Sequence, residues 1–377
     1  MKLQSLLLTL LLISNMLHVS AQVLITSDLS KPGKSISNDL VGVFFEDINF
    51  AADGGLYAEL IQNRSFEYHP YTDSVANVTY LTSQPLDAWS TVKRGNALFS
   101  ISVKNEQPIN TNNPNYLEIN VLYEGSDAGI RNTGFFGIPI EEGKSYPYSV
   151  YLRSEVEIDF PVVIKLESGL LNAGSDTITG ITTSWKKFEG TITSTRTNDN
   201  ATLVLSSRGK GKLYVDMVSL FPYKTFKNRK NGLREDLAQS IADLKPRFLR
   251  FPGGCISHGR GIDNMYRWKE TVGDVAARNP NWNLWGYHQT YGLGFYEYFL
   301  FSEDIGAIPL PVIPAGVSCQ FRNREIVPMN QMQPFVDDAL DLVEFANGDT
   351  STTWGRLRAQ MGHPEPFNLE YIRPKRT

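Results

Sequence analysis

The chain has 377 residues, a formal net charge of −4 and 20% charged residues. This balance leaves no clustered basic face of the kind that nucleic-acid binding requires, and the length suits about two domains of roughly 100–200 residues each. Two cysteines, Cys255 and Cys319, cannot make a disulfide framework.

Met1 and Lys2 precede an apolar run over residues 6–17 that ends in Val19-Ser20-Ala21. The pattern predicts a signal peptide over residues 1–21, cut after Ala21, and a secreted or periplasmic protein. The run is too short for a membrane span, and no other segment is long and apolar enough. Residues 40–49 (LVGVFFEDIN) read as an apolar strand carrying Glu46 and Asp47 at its end. A short amphipathic helix is expected next, with Leu56, Tyr57, Leu60 and Ile61 on one face.

Helical periodicity disappears between about Ser65 and Pro222. Short alternating or β-branched runs replace it: LFSISV, YLEINVLY, YSVYLR, PVVIKLE, ATLVLSS and KLYVDMVSLF. Turn clusters such as Asn110-Thr111-Asn112-Asn113-Pro114 and Arg208-Gly209-Lys210-Gly211 separate them, which predicts an antiparallel β-sandwich. Trp89, Tyr116, Tyr123, Phe135, Phe136 and Trp185 are candidate platform aromatics. A single Tyr or Trp in a sandwich is more often core than platform, so none is assigned a ligand.

Leu233, Leu237, Ile241 and Leu244 then mark one face of a helix, which Pro246 ends. Residues 248–251 fit a parallel strand opening onto Pro252-Gly253-Gly254-Cys255. In an α/β barrel the C-terminal ends of such strands carry the active site. Glycines there let the backbone approach a ligand closely, with Arg250 and Cys255 at the mouth. Phe295, Phe299 and Leu300 mark another helix. Residues 308–313 form a strand whose Pro309 and Pro311 demand irregular pairing. A long helix carries Phe335, Val336, Ala339, Leu340, Val343 and Ala346. Its Asp337, Asp338, Asp341 and Glu344 read as a solvated face, not a metal site. A fourth strand is expected near Leu369.

LVGVFFEDIN, GGLYAELIQNRSFEY from Gly54, NGLREDLA from Asn231, LRFPGGC from Leu249 and NLWGYHQTYGLGFYEYFLFSEDIGA from Asn283 occur in that order. Together they resemble the α-L-arabinofuranosidases of glycoside hydrolase family 51. The resemblance implies an α/β plus all-β protein: the N-terminal half of a (β/α)8 TIM barrel interrupted by a galactose-binding-like β-sandwich. Residues 22–65 supply the first barrel strand and helix, 66–222 the inserted carbohydrate-binding-like sandwich, and 223–377 the barrel continued to about its fourth strand. It also implies retaining hydrolysis of terminal α-L-arabinofuranosyl groups of arabinan or arabinoxylan, without cofactor or metal.

By position in the matching motifs, Glu46 corresponds to the acid that hydrogen-bonds the arabinose hydroxyls. Arg250 corresponds to the strand-end Arg that orients the catalytic carboxylates. Gly254 and a free Cys255 correspond to the loop closing over the sugar, and Trp285 to an aromatic lining the site. Cys319 reads as a small buried residue. Retaining glycosidases need two carboxyls roughly 5–5.5 Å apart, one as acid/base and one as nucleophile. Glu46 and Asp47 are adjacent on a strand, point to opposite faces and cannot be that pair. The family's two catalytic glutamates are expected beyond FNLEYI, where this sequence reads Arg373-Pro374-Lys375-Arg376-Thr377. No residue here is therefore assigned to catalysis. Three readings stay open: a truncated family enzyme inactive as written, a non-catalytic secreted glycan-binding protein using the sandwich, and a fragment complemented by a separate second half.

Overall fold

A computed structural model describes residues 24–28, 30 and 33–375. The expected signal peptide lies outside the described residues. The described residues before Asp39 form no helix or strand, and Asp39–Thr377 forms one compact unit.

Four parallel strands make the first sheet, in the order Val43–Phe44, Phe248–Phe251, Ile308–Pro314 and Arg373–Lys375. No closed barrel is present among the described residues. The first strand is much shorter than the run of residues 40–49 suggested. Leu40 and Val41 are 67% and 63% exposed, so their hydrophobicity is not recruited to a core. Beyond Phe44 the chain stays alongside its neighbour by Phe45 N–H donating to the Arg250 carbonyl (2.9 Å) and Asp47 N–H to that of Pro252 (3.4 Å).

The prolines of the third strand are resolved by register. Ile308 N–H donates to the Arg247 carbonyl at 2.9 Å, so even-numbered N–H groups here face the second strand. Pro309 and Pro311 therefore place their missing donors on the other side, where the fourth strand pairs only from Val312 onward. That strand begins at Arg373, later than expected.

The helix expected around Leu56 and Ile61 does not form. Gly54 holds φ 83, and the backbone bonds sideways instead of four residues back. Ala58 N–H reaches Gly232, Leu60 N–H reaches Leu220, and Arg234 N–H reaches the Leu56 carbonyl. The apolar residues there are buried among several elements, not on one stripe. The helix Glu235–Asp243 buries Ala238, while Leu244 beyond its end is 65% exposed. The helices Phe295–Asp304 and Gln333–Asn347 match their patterns. In the latter, Asp338 pairs with Arg267 and Lys269, both at 2.9 Å, and Asp341 pairs with Lys269.

Between the first two parallel strands, two antiparallel sheets share one core. One runs Leu171–Ile178, Val162–Ser168, Asn198–Ser207, Asp127–Asn132, Trp89–Arg94, with Ile138–Ile140 also on Asn198–Ser207. The other runs Lys186–Thr193, Ser145–Ser154, Gly211–Leu220, Tyr116–Tyr123, Leu98–Lys104. Leu117, Ile119, Val150, Leu152, Ile164 and Leu203 alternate into the shared core, the period-2 pattern of strands buried on one face. Of the candidate platform aromatics, Trp89 and Tyr116 are buried, while Phe136 is 77% and Tyr123 53% exposed.

Candidate active site

The second parallel strand ends at Phe251, and a cis peptide leads through Pro252 into Gly253 and Gly254. A single helical turn, Cys255–His258, follows. Glu46, delivered just past the first strand, lies against this turn. Its Oε1 accepts the Ile256 N–H at 3.1 Å. The two glycines make room for that carboxylate. A Cβ on Gly253 would stand 2.5 Å from Glu46 Cγ, and one on Gly254 would stand 3.7 Å from Oε2 and 3.8 Å from Arg250 Nη2. Glu46, Arg250 and Gly254 are thus brought together by the ends of adjacent parallel strands, with Cys255 next along the turn.

Arg250 lies with its guanidinium 4.1 Å from the centre of the Phe44 ring. Burial, and the neighbouring charge of Arg373, pull its pKa down, and Glu46 opposes them. Its Nε is buried with no hydrogen-bond partner. A buried guanidinium donor without an acceptor is costly. A carboxylate placed against it would satisfy both the charge and the donor.

Asp47 turns the other way, as alternation requires. Its Oδ1 accepts from Ala52 N–H (3.0 Å) and from the Tyr287 hydroxyl (2.9 Å). Burial pushes its pKa up to about 7. Asn283 donates to the Asp47 carbonyl at 3.1 Å. The same Asn283 accepts the Trp285 N–H at 2.8 Å, at the tip of a hairpin formed by Asn281–Asn283 and Tyr287–Gln289. Trp285 therefore reaches the group indirectly, through Asn283 and Asp47. It is 37% exposed, and the Arg322 guanidinium lies 5.8 Å from its ring centre.

Asp47, Asn283 and Tyr287 are positioning residues that pattern reading missed. The only signal for them was an acid adjacent to Glu46 on the opposite face. Cys319 is buried, and neither cysteine is in a disulfide. Among the described residues no cluster of His, Cys, Asp and Glu could hold a metal ion. No described helix is long and apolar enough to cross a membrane.

Comparison with known proteins places this geometry. A family model described as an alpha-L-arabinofuranosidase 1 domain matches residues 240–373. An extracellular exo-alpha-L-arabinofuranosidase of Streptomyces chartreusis is 42% identical over 360 residues, covering 92% of this chain and 41% of the relative. Alpha-L-arabinofuranosidase 1 of Arabidopsis thaliana is 37% identical over 349 residues, covering 90% of this chain and 49% of the relative. The arabinose-bound structure of MgGH51 α-L-arabinofuranosidase superposes with a TM-score of 0.80 at 33% identity, covering 92% of this chain and 55% of that one. The chain spans about half the length of the curated relatives it matches. By sequence and by fold together, it belongs to the glycoside hydrolase family 51 α-L-arabinofuranosidases.

Proposed function

We propose that this chain carries the sugar-holding side of a retaining α-L-arabinofuranosidase site, built for terminal α-L-arabinofuranosyl groups of arabinan or arabinoxylan. The observation that carries the reading is the convergence of Glu46 and Arg250 on Gly254 at the ends of adjacent parallel strands. Glu46 is fixed at Oε1 by the Ile256 N–H, which leaves Oε2 on the Gly254 side to accept sugar hydroxyls. Arg250 offers its unpartnered Nε to a carboxylate. Gly254, Cys255 and Trp285 shape the pocket around the ring.

In the same reading the four parallel strands belong to a (β/α)8 barrel. Residues 66–222 are an inserted module of the galactose-binding-like, carbohydrate-binding kind. Residues 1–21 are a signal peptide for export, in keeping with a relative named extracellular. Among the described residues, none is assigned the acid/base or nucleophile role. Both barriers of retaining hydrolysis depend on those groups, so the residues assigned here hold the sugar and do not themselves cleave it.

Calorimetric titration of the 377-residue chain with L-arabinose tests the proposal, beside a Glu46→Gln variant and a chromogenic aryl α-L-arabinofuranoside assay. Loss of a hydrogen bond to a charged group, about 1.5–3 kcal/mol, predicts at least roughly tenfold weaker arabinose binding by the variant. Wild-type affinity in Glu46→Gln removes the assigned role. Turnover abolished by that substitution would mean that the catalytic residues are misassigned.

A further inference from the structure

A large cavity lies elsewhere. It encloses about 1080 Å³, and none of its lining residues is Glu46, Arg250, Gly254, Cys255 or Trp285. One wall is the outward face of the five-stranded sheet. The register sets Glu189, Ser149 and Ser219 abreast, and Lys187, Tyr151 and Asp216 abreast in the next row. Cross-strand partners share a face, and the alternate residues Val150 and Leu152 face the core, so these rows face outward. The ladder slips between Asp216 and Ser219, where Met217, which lines the cavity, holds φ 46. A bulge re-aims side chains, and a left-handed non-glycine residue is strained, features that gather at binding sites. The opposite wall comes from the Thr225–Leu233 segment, from Gly273 to Arg278, and from Tyr296, Leu300 and Asp304 of the helix Phe295–Asp304.

The lining chemistry defines the occupant. Its cations face carboxylates within the walls: Lys187 and Lys230 share Glu189 (3.0 and 3.4 Å), Arg229 pairs with Asp304 (2.6 Å), and Arg278 with Glu297 (2.8 Å). Arg64 likewise faces Glu59 at 3.5 Å. With Asp274 also on the lining, the five cations are matched by five carboxylates, Glu59, Glu189, Asp274, Glu297 and Asp304, so the walls hold no surplus charge to attract an anion, yet present donors and acceptors in alternation. Between them stand aromatic rings: Tyr151, Phe221 and Tyr223, the last 44% exposed. Burial, with Asp274 on the facing wall and Glu189 on its own, raises the Tyr151 phenol above its ordinary pKa, so it stays a neutral donor. Apolar ring faces set among compensated polar groups suit a molecule with C–H faces and many hydroxyls. The volume exceeds the ~300–1,000 Å³ typical of a small-molecule pocket, room for more than one sugar ring.

We infer that this cavity is a second carbohydrate site, separate from the Glu46 pocket, which holds several residues of a neutral polysaccharide chain. It rests on the proposed substrate class only for the choice of glycan. A chain held here would keep the polymer on the protein while terminal sugars exchange at the other site.

The test is affinity electrophoresis of the full 377-residue chain through gels containing neutral arabinoxylan or, as charged control, polygalacturonate. Tyr223→Ala removes an exposed ring, and Ser149→Trp fills the cavity from the sheet wall. Thermal melts verify that both variants are folded. Retention by arabinoxylan should weaken on the order of tenfold in each, with calorimetric affinity for L-arabinose unchanged. Glu46→Gln should show the reverse. Undiminished retention in both folded variants, equal retention by polygalacturonate, or no retention of the wild type would overturn the inference. A wild type retained by arabinoxylan but blind to L-arabinose would leave this site standing and remove the Glu46 reading instead.

Discussion

Gly253→Ala is the sharpest probe of how the turn holds Glu46. The new methyl would lie 2.5 Å from Glu46 Cγ, 2.5 Å from Ile256 Cγ2 and 2.9 Å from Glu46 Cδ. Ile256 is 2% exposed and packed in the core, so it cannot move aside cheaply. Overpacking of this kind costs about 1–3 kcal/mol. The softer response is for Glu46 to swing away. That breaks its 3.1 Å bond from the Ile256 N–H, a charge-assisted bond worth about 1.5–3 kcal/mol. Either route destabilises the fold by about 1–3 kcal/mol, and the second also moves the carboxylate out of the proposed sugar pocket. Gly254→Ala is the internal control. Its methyl would meet only ordinary contacts, 3.7 Å from Glu46 Oε2 and 3.8 Å from Arg250 Nη2, so the fold should tolerate it. Urea denaturation with calorimetric arabinose binding reads both quantities. A lowered midpoint with unchanged slope is expected for Gly253→Ala, together with roughly tenfold or greater loss of arabinose affinity. The reasoning is refuted if Gly253→Ala keeps the wild-type midpoint, or if Gly254→Ala proves the less stable of the two.

Two further predictions concern buried charge. Burial raises Asp47 to about 7, whereas an exposed aspartate titrates near 3.8, so the folded state holds the proton more tightly. Its contribution is fully present below the unfolded value and is lost as pH rises through about 7, a change of up to about 4 kcal/mol at 1.36 kcal/mol per unit. Asp47→Asn should therefore flatten the fall in stability between pH 4 and 7, though Glu67 and Glu270, also raised to about 7, keep part of it; an unchanged slope counts against the assignment. Arg278→Met strips Glu297 of a two-pronged ion pair (2.8 and 2.9 Å) and should cost about 3–5 kcal/mol by chemical denaturation. Adding Glu297→Gln should recover part of that loss, and a double variant no better than the single one would contradict the account.

Periodicity located an element wherever burial followed one face. The strands Tyr116–Tyr123 and Gly211–Leu220 and the helix Phe295–Asp304 stand where their patterns put them, because alternating or stripe-like burial leaves a direct trace in residue order. The helix Thr353–Gln360 left none. It is held by Arg358, fully buried, whose guanidinium donates to the carbonyls of Phe345, Gly348, His363 and Pro364. A polar residue that caps carbonyls from distant segments looks, in sequence, like surface.

Residue order alone determined the family resemblance, the order of the parallel strands, and the opposite facing of Glu46 and Asp47. These depend on local geometry, since adjacent side chains on an extended chain must diverge. Tertiary structure decided the rest. After a local turn at residues 51–57, the backbone at Leu56, Ala58, Leu60 and Arg64 bonds to segments far along the chain instead of coiling, because the apolar side chains there are covered from several sides at once. The empty Nε of Arg250, the bridge from Asp47 through Asn283 to Trp285, and the cavity between sheet and helices exist only where distant segments meet. A long-range contact is a property of two positions together, and neither position states it by itself.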